Sequence, residues 1–130
     1  MPEAISNTSP LVYLHRIASL EWLGRLFTSV WVPNAVVREL EEGKRRGWDV
    51  PDLGALSWFQ TTDPSSTPSE WLALDLGAGE RAAMALALEH PSRILLVDDA
   101  LARRTARAAG IAIWGTLKIL LEAKSHMLCD

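Results

Sequence analysis

What the 130-residue sequence lacks narrows the classes of protein it can belong to. Its single cysteine, Cys129, cannot form a disulfide within the chain, which favours a reducing, cytoplasmic location. No apolar run approaches the length of a membrane span, and the N-terminal residues lack the charged start of a signal peptide. The three histidines are isolated from one another, which argues against zinc chemistry based on Cys and His.

Neither positive nor negative charge dominates the sequence, which has 13 Lys and Arg and 16 Asp and Glu. A net charge of -3 provides no overall cationic surface, so any contact with nucleic acid must come from local basic clusters. The apolar share of 48% and the charged share of 22% are ordinary for a globular protein, and we expect residues 1–130 to form one domain. The six tryptophans follow no stacking pattern, so we expect them to pack in the core or in an interface.

Buried strands alternate with helical stretches along the chain. The clearest case is the apolar run Ile94–Val97, which stops at Asp98 and Asp99 and is followed by a helical stretch that ends at Gly110. The whole chain reads as β-α-α-β-α-β-α-β-α-β-α. This order predicts an α/β fold with a parallel sheet and helices on both of its faces. The predicted strands are Ala4–Asn7, Val30–Val32, Ser57–Thr62, Ile94–Val97 and Gly110–Trp114.

Polar residues gather at the predicted ends of strands and starts of helices, where open α/β sheets bind their ligands. Taken singly, Asn7 reads as a turn or cap residue, Glu39 as a surface glutamate and Glu80 as a complement to the helix dipole. Gathered together, carboxylates repel unless a cation neutralises them, so the set predicts Mg²⁺ or Mn²⁺. Such an ion can activate water and stabilise a phosphodiester under attack. The candidates are Asn7, Glu39, Glu80, Asp98, Asp99 and the hydroxyl of Thr116.

Other chemistries are poorly supported by the sequence. No serine or cysteine has a recognisable histidine partner, and there is neither a Walker P-loop nor a G-x-G-x-x-G motif. The pair Asp98–Asp99 is similar to the acid pair of phosphoacceptor receiver domains. That interpretation fails because only Glu122 and Asp130 follow as acids, and no later aspartate ends a strand.

Short motifs spread over nearly the whole chain resemble those of the PIN-domain fold, and within it the small proteins that begin Ile-Ser-Asn-Thr-Ser-Pro. Each motif is weak alone, but together and in this order they are fairly specific. The resemblance implies a three-layer α/β/α sandwich with a central parallel sheet of four or five strands. It also implies a metal-dependent ribonuclease site, often in the toxin half of a toxin–antitoxin pair. The matching pieces are Ile5–Leu11, Val36–Leu40, Leu76–Arg81, Leu95–Ala100, Ala102–Arg104 and Gly115–Leu117.

The resemblance assigns a role to each candidate. Asn7 stands where most PIN domains have their first acid, Glu39 matches the second and Glu80 the third. The fourth is Asp98 or Asp99, with Asp98 favoured. Because the Asn7 amide brings no charge, metal affinity should fall, and Asp99 would restore the number of carboxylates. We therefore expect Mg²⁺ or Mn²⁺ to be held by Glu39, Glu80, Asp98 and Asp99.

Arginines near this edge are the candidate contacts for an RNA backbone, although each alone reads as part of a solvated helix face. The expected partners are single-stranded or structured RNA, a cognate antitoxin and a second copy of the chain. An alternative stays open: a PIN-fold module with weakened or lost catalysis that binds RNA or a protein partner. The candidate RNA-binding residues are Arg81, Arg103, Arg104 and Arg107, with Lys44, Arg45 and Arg46 at the end of another helix.

Overall fold

The computed structural model describes residues 1–129, with side chains described as far as His126. Within this range no helix has the length and apolarity needed to cross a membrane. The strands are β1 (Ala4–Ser6), β2 (Val30–Val32), β3 (Phe59–Thr61), β4 (Ile94–Leu96) and β5 (Ile113–Trp114). The α-helices are α1 (Thr8–Arg16), α2 (Trp22–Leu26), α3 (Asn34–Arg45), α4 (Ala78–Glu89), α5 (Ala100–Ala108) and α6 (Thr116–Cys129). Short 3₁₀ helices cover Leu53–Ala55 and Ser69–Ala73.

All five strands are parallel and lie in the order β3-β2-β1-β4-β5. The chain therefore starts at the central strand β1. The strands β2 and β3 lie on one side of it, and β4 and β5 lie on the other side. The boundary between β1 and β4 is the switch point, outside whose carboxyl ends ligands bind in such sheets. Asn7 follows β1 there, and its N–H donates to the carbonyl of Leu96 at 3.1 Å. Two of the candidate positions, Asn7 and Asp98, thus follow neighbouring strands.

Helices cover both faces of the sheet, which confirms the predicted α/β/α sandwich. One apolar cluster joins the sheet to α1, α2, α3 and α6, and the other joins it to α4 and α5. Neighbouring strand residues alternate between the two clusters, as Ala4 and Ile5 do, because successive side chains of a strand point to opposite faces. The apolar run in β4 is therefore buried on both sides.

Some element boundaries differ from those expected. The predicted strand Ser57–Thr62 is shorter because β3 lies at the edge of the sheet and pairs only with β2. The segment Ser69–Ala73 before α4 is a 3₁₀ helix. The interpretation of Asn7 as a cap residue agrees with the structure, since its Oδ1 accepts the Thr8 N–H at 2.7 Å at the start of α1.

Arg93 ties the strands together at the amino edge of the sheet, opposite the candidate site. Its side chain is only 6% exposed. The guanidinium donates to the carbonyl of Ala4 and to Oε2 of Glu3, both at 3.0 Å, and to Oγ of Ser29 at 3.1 Å. It also lies 3.4 Å from the centroid of the Trp31 ring. One side chain therefore holds the starts of β1, β2 and β4 in register.

Replacing Arg93 by leucine should lower the free energy of unfolding by about 2–4 kcal/mol, because several hydrogen bonds to a charged, buried donor are lost together. Urea unfolding would measure this change. Arg104→Leu, at an exposed position on α5, is the matched control and should change stability by less than about 0.5 kcal/mol. Equal unfolding midpoints for Arg93→Leu and wild type would contradict this role.

Candidate functional site

The side chain of Glu39 connects three segments at the carboxyl edge of the sheet. It projects from the middle of α3, and its Oε2 accepts the hydroxyl of Thr8 at 2.6 Å. Its Oε1 accepts the N–H of Gly79 at 2.8 Å. Thr8 follows Asn7 in the chain and Gly79 precedes Glu80. The carboxylate of Glu39 therefore lies between the segments that carry two other candidate residues.

Gly79 makes this arrangement possible. It is buried in the first turn of α4, and a Cβ at this position would overlap the carboxylate of Glu39. Only glycine leaves room for the glutamate to approach the backbone N–H so closely. The two glycines in Gly77-Ala-Gly-Glu80 thus have different roles, since Gly77 stands before the helix and Gly79 receives a side chain from across the sheet edge.

Glu80 lies beside other acids. Its Oε1 accepts the N–H of Gly77 at 3.1 Å, a bond that favours the ionised carboxylate. Burial opposes ionisation more strongly and raises the pKa of Glu80, and the negative charges of Asp99, Glu39 and Asp75 raise the pKa further. The structure therefore brings Glu39 and Asp99 each within electrostatic reach of Glu80.

Asp98 and Asp99 face different partners although they are adjacent in the chain. Asp98 accepts the N–H of Thr116 through Oδ1 at 2.8 Å and the Thr116 hydroxyl through Oδ2 at 2.6 Å. Asp99 is the N-cap of α5, and its Oδ2 accepts the N–H of Ala102 at 2.9 Å. Thr116 is thus the direct partner of Asp98, while Asp99 is the acid whose charge acts on Glu80.

The four candidate arginines are placed very differently. Arg103 is half-buried and lies against Gly115, where a Cβ would overlap its guanidinium and would lie 3.1 Å from Oδ1 of Asp98. Arg81 donates to the carbonyl of Leu76, just before α4. Arg104 and Arg107 are exposed on α5. Of the four arginines, Arg103 is the one that lies beside Asp98.

The donor chemistry of these residues suits a hard divalent cation, since every donor is a carboxylate, amide or hydroxyl oxygen. The spacing does not supply a ready cage: among the side chains of residues 1–126 no three of His, Cys, Asp or Glu lie close enough together to hold a metal ion. Glu39 is held by Thr8 and Gly79, whereas Asp98 is held by Thr116, which follows β5. The residues therefore fit such an ion in chemistry and charge but not in this arrangement.

Two residues of the site were not among the sequence candidates. Thr8 lies in the motif Ile5–Leu11 but was given no role of its own, yet its hydroxyl donates to Glu39. Gly79 lies in the motif Leu76–Arg81 and was likewise given no role, yet its N–H donates to Glu39. The sequence offered one signal for Thr8, because a hydroxyl directly after Asn7 also stands at the carboxyl end of β1.

A five-stranded parallel sheet between two helical layers, with Asn7 and Asp98 following the neighbouring strands β1 and β4, is a PIN-like fold of the nuclease type. The family model described as DUF3368, a PIN domain, matches residues 3–130, and the chain belongs to this family. PIN domains are generally dependent on divalent metals.

Solved structures agree on the fold. The chain is similar to a PilT N-terminus domain protein from the hyperthermophilic archaeon Sulfolobus solfataricus P2, with a TM-score of 0.65 and 16% sequence identity. The alignment covers 93% of this chain and 92% of that protein. The search of curated proteins finds no match. At this identity the likeness concerns the fold alone.

Removing neighbouring charges should lower the pKa of Glu80 in a graded way. Asp99→Asn should lower it more than Asp75→Asn, because Asp99 makes the larger contribution of the two. Asparagine also caps helices well, so α5 should be preserved in the first variant. Carboxyl ¹³C NMR titration of Glu80 measures both shifts. An unchanged Glu80 pKa in Asp99→Asn would show that the two acids are not neighbours.

The same shift determines how Glu80 affects stability with pH. A pKa raised above the ordinary value of 4.5 means that the folded protein holds the proton more tightly than the unfolded chain. The contribution of Glu80 to the free energy of unfolding is therefore greatest below 4.5 and declines as pH rises through the raised pKa. Glu80→Gln should remove this decline. Urea unfolding between pH 4 and pH 7 is the measurement, and identical pH profiles for the two proteins would contradict it.

Proposed function

We propose that this protein is a divalent-metal-dependent endoribonuclease of the PIN type that acts on single-stranded or structured RNA. Membership of the PIN-domain family supports this proposal at the level of the fold. The observation that carries it is the position of Glu39, an acid from the middle of a helix that lies between the segments of Asn7 and Glu80. Glu39 does not cap its own helix: from the middle of α3 it accepts a free N–H of the first turn of α4 and the hydroxyl of Thr8 in α1.

The residues have distinct roles in this proposal. Glu39, Glu80, Asp98 and Asp99 supply the negative charge that attracts Mg²⁺ or Mn²⁺, and Asn7 offers an uncharged oxygen. A divalent ion held by these residues would lower the pKa of a water molecule and stabilise charge on the phosphodiester. Thr116 positions Asp98. Arg103 is the best placed of the arginines to meet an RNA phosphate near that aspartate, as its guanidinium lies against Gly115.

The biological setting that we propose is a cytoplasmic toxin that a cognate antitoxin neutralises, with a homodimer as its active form. The family resemblance supports the toxin role. Leu117 and Leu121 lie one turn apart on α6 and are 70% and 57% exposed. They offer apolar surface for either protein contact.

The first test of the enzyme is Mn²⁺ binding and Mn²⁺-dependent cleavage of a fluorogenic single-stranded RNA. Asp98→Asn and Glu39→Gln should each reduce cleavage by about a hundredfold or more, since even outer-shell partners of a metal site are worth roughly 10–100-fold. Calorimetric titration of Mn²⁺ at low salt should show the loss of binding. Glu41→Gln, an exposed acid two residues along the same helix, is the matched control and should behave as wild type. Undiminished cleavage in Asp98→Asn and Glu39→Gln would remove these assignments.

A second function is favoured by two observations: Asn7 is uncharged, and no three acids of residues 1–126 form a ready metal cage. On this alternative the protein is a PIN-fold module that binds RNA or a protein partner without turnover. Glu39, Asn7 and the other polar residues then stabilise the sheet edge only.

Asn7→Asp separates the two functions. Aspartate caps a helix as well as asparagine does, so the fold should be kept while the site gains a charge. For a metal-dependent nuclease, Mn²⁺ affinity and cleavage should both rise, because an added carboxylate strengthens the binding of a hard cation. Calorimetry and the same cleavage assay measure the change. No change in either quantity would favour the binding module.

A further inference from the structure

A groove of about 440 Å³ lies between α1 and the carboxyl half of α3 and opens beside Glu39. At one end the hydroxyl of Thr8 donates to Glu39, and further along α1 the Nε of Arg16 donates to the carbonyl of Asp49 at 3.2 Å. From Thr8 to Arg16 the helix rises about 12 Å, which matches roughly three stacked nucleotides. The groove is thus continuous with the candidate active site.

Two aromatic side chains of this groove are exposed to solvent. Tyr13 is 49% exposed and Trp48 is 56% exposed, although Trp48 was expected to pack in the core or an interface. By contrast, Trp71 is buried and packs in the cluster between the sheet and α4. Exposed aromatic faces are platforms on which unpaired bases stack, and such stacking tolerates any base sequence.

Cations accompany the aromatic residues. Arg46 lies with its guanidinium 5.5 Å from the centroid of the Trp48 ring. Arg45 and Arg46 share the single carboxylate of Glu42, which leaves one net positive charge, and they lower the pKa of Glu42 so that it stays ionised. The Nε of Arg16 donates to the backbone carbonyl of Asp49, and a carbonyl carries no full charge. Among the residues that line the groove, Arg16 and Arg46 are balanced by Glu39 and Glu42, so the two arginines offer local contacts for phosphates while the groove as a whole carries no excess charge.

We infer that this groove is a base-stacking subsite that binds a single RNA strand and leads it to Glu39. Its bases stack on Trp48 and Tyr13, and its phosphates meet Arg16 and Arg46. The link to cleavage rests on the proposed nuclease function, whereas binding of the strand does not. A double helix has no free base faces to offer, so the subsite selects unpaired RNA.

The test is fluorescence anisotropy with a fluorescein-labelled 12-nucleotide polyuridine RNA, in EDTA so that no metal takes part. Trp48→Ala should weaken binding by roughly 5- to 100-fold, the usual range for loss of one stacking residue, and Trp48→Phe should restore most of it. The matched control is Leu72→Ala, which removes a side chain that is 62% exposed outside the groove. Trp48 also packs against Gly43, so Trp48→Ala removes a packing contact as well as an exposed ring. Tyr13→Ala is therefore a second variant, for which the same weakening of RNA binding is expected.

Replacing the arginines of the groove tests RNA binding independently of the aromatic residues. Arg16→Gln and Arg46→Gln should each weaken binding and reduce the slope of log Kd against log salt concentration by about one. Arg25→Gln, exposed at the end of α2, should change neither quantity. A blunt-ended duplex RNA should bind the wild type more weakly than the single strand does.

Binding that survives in both Trp48→Ala and Tyr13→Ala, or wild type that binds no RNA in EDTA, would overturn the inference. If both variants also cleave as wild type in Mn²⁺, the groove is wrong while the nuclease proposal stands, and a peptide from a protein partner becomes the better occupant. If the variants lose RNA binding and wild type shows no cleavage in Mn²⁺, the groove is supported and the nuclease proposal fails.

Discussion

The carboxyl edge of the sheet depends on one carboxylate. Glu39 belongs to α3 on one face of the sheet, and Gly79 lies in the first turn of α4 on the other face. The hydrogen bonds of Glu39 join it to Thr8, 31 positions away in the sequence, and to Gly79, 40 positions away. Both helical layers are thereby joined at the edge where Asn7 and Asp98 end neighbouring strand segments. This contact requires glycine at position 79, and Glu80 and the adjacent groove both lie beside the same carboxylate.

Capping and ligand binding compete for the same positions in a fold of this kind. Every strand here is followed by a helix or 3₁₀ helix, and each helix start requires an acceptor for its free N–H groups. Asn7, Glu80 and Asp99 each meet that need, so their hydrogen bonds alone say little about function. Glu39 also accepts such an N–H, that of Gly79 in the first turn of α4, but it does so from the middle of another helix and has the hydroxyl of Thr8 as a second partner.

The order of elements, the parallel sheet and the edge that carries the candidates could be predicted because they depend on local apolar patterning and chain direction. The bond between Glu39 and Thr8 could not, since it depends on how α1 and α3 pack. The choice between Asp98 and Asp99 was left open by the sequence. The helical stretch directly after Asp99 was nonetheless a usable signal for its capping role, and Thr116 at the next junction was one for Asp98.

Under the proposed function, the net charge of the chain makes stacking a better means of holding RNA than contacts with the phosphate backbone. The chain carries a net charge of -3, and its acids gather where a phosphodiester would have to react. A phosphate backbone is repelled by that edge unless a cation neutralises it. Contacts between bases and exposed aromatic rings do not depend on charge, and the α1–α3 groove places Tyr13 and Trp48 beside the acidic edge. Stacking would therefore retain the strand while the repulsion at Glu39 is being neutralised.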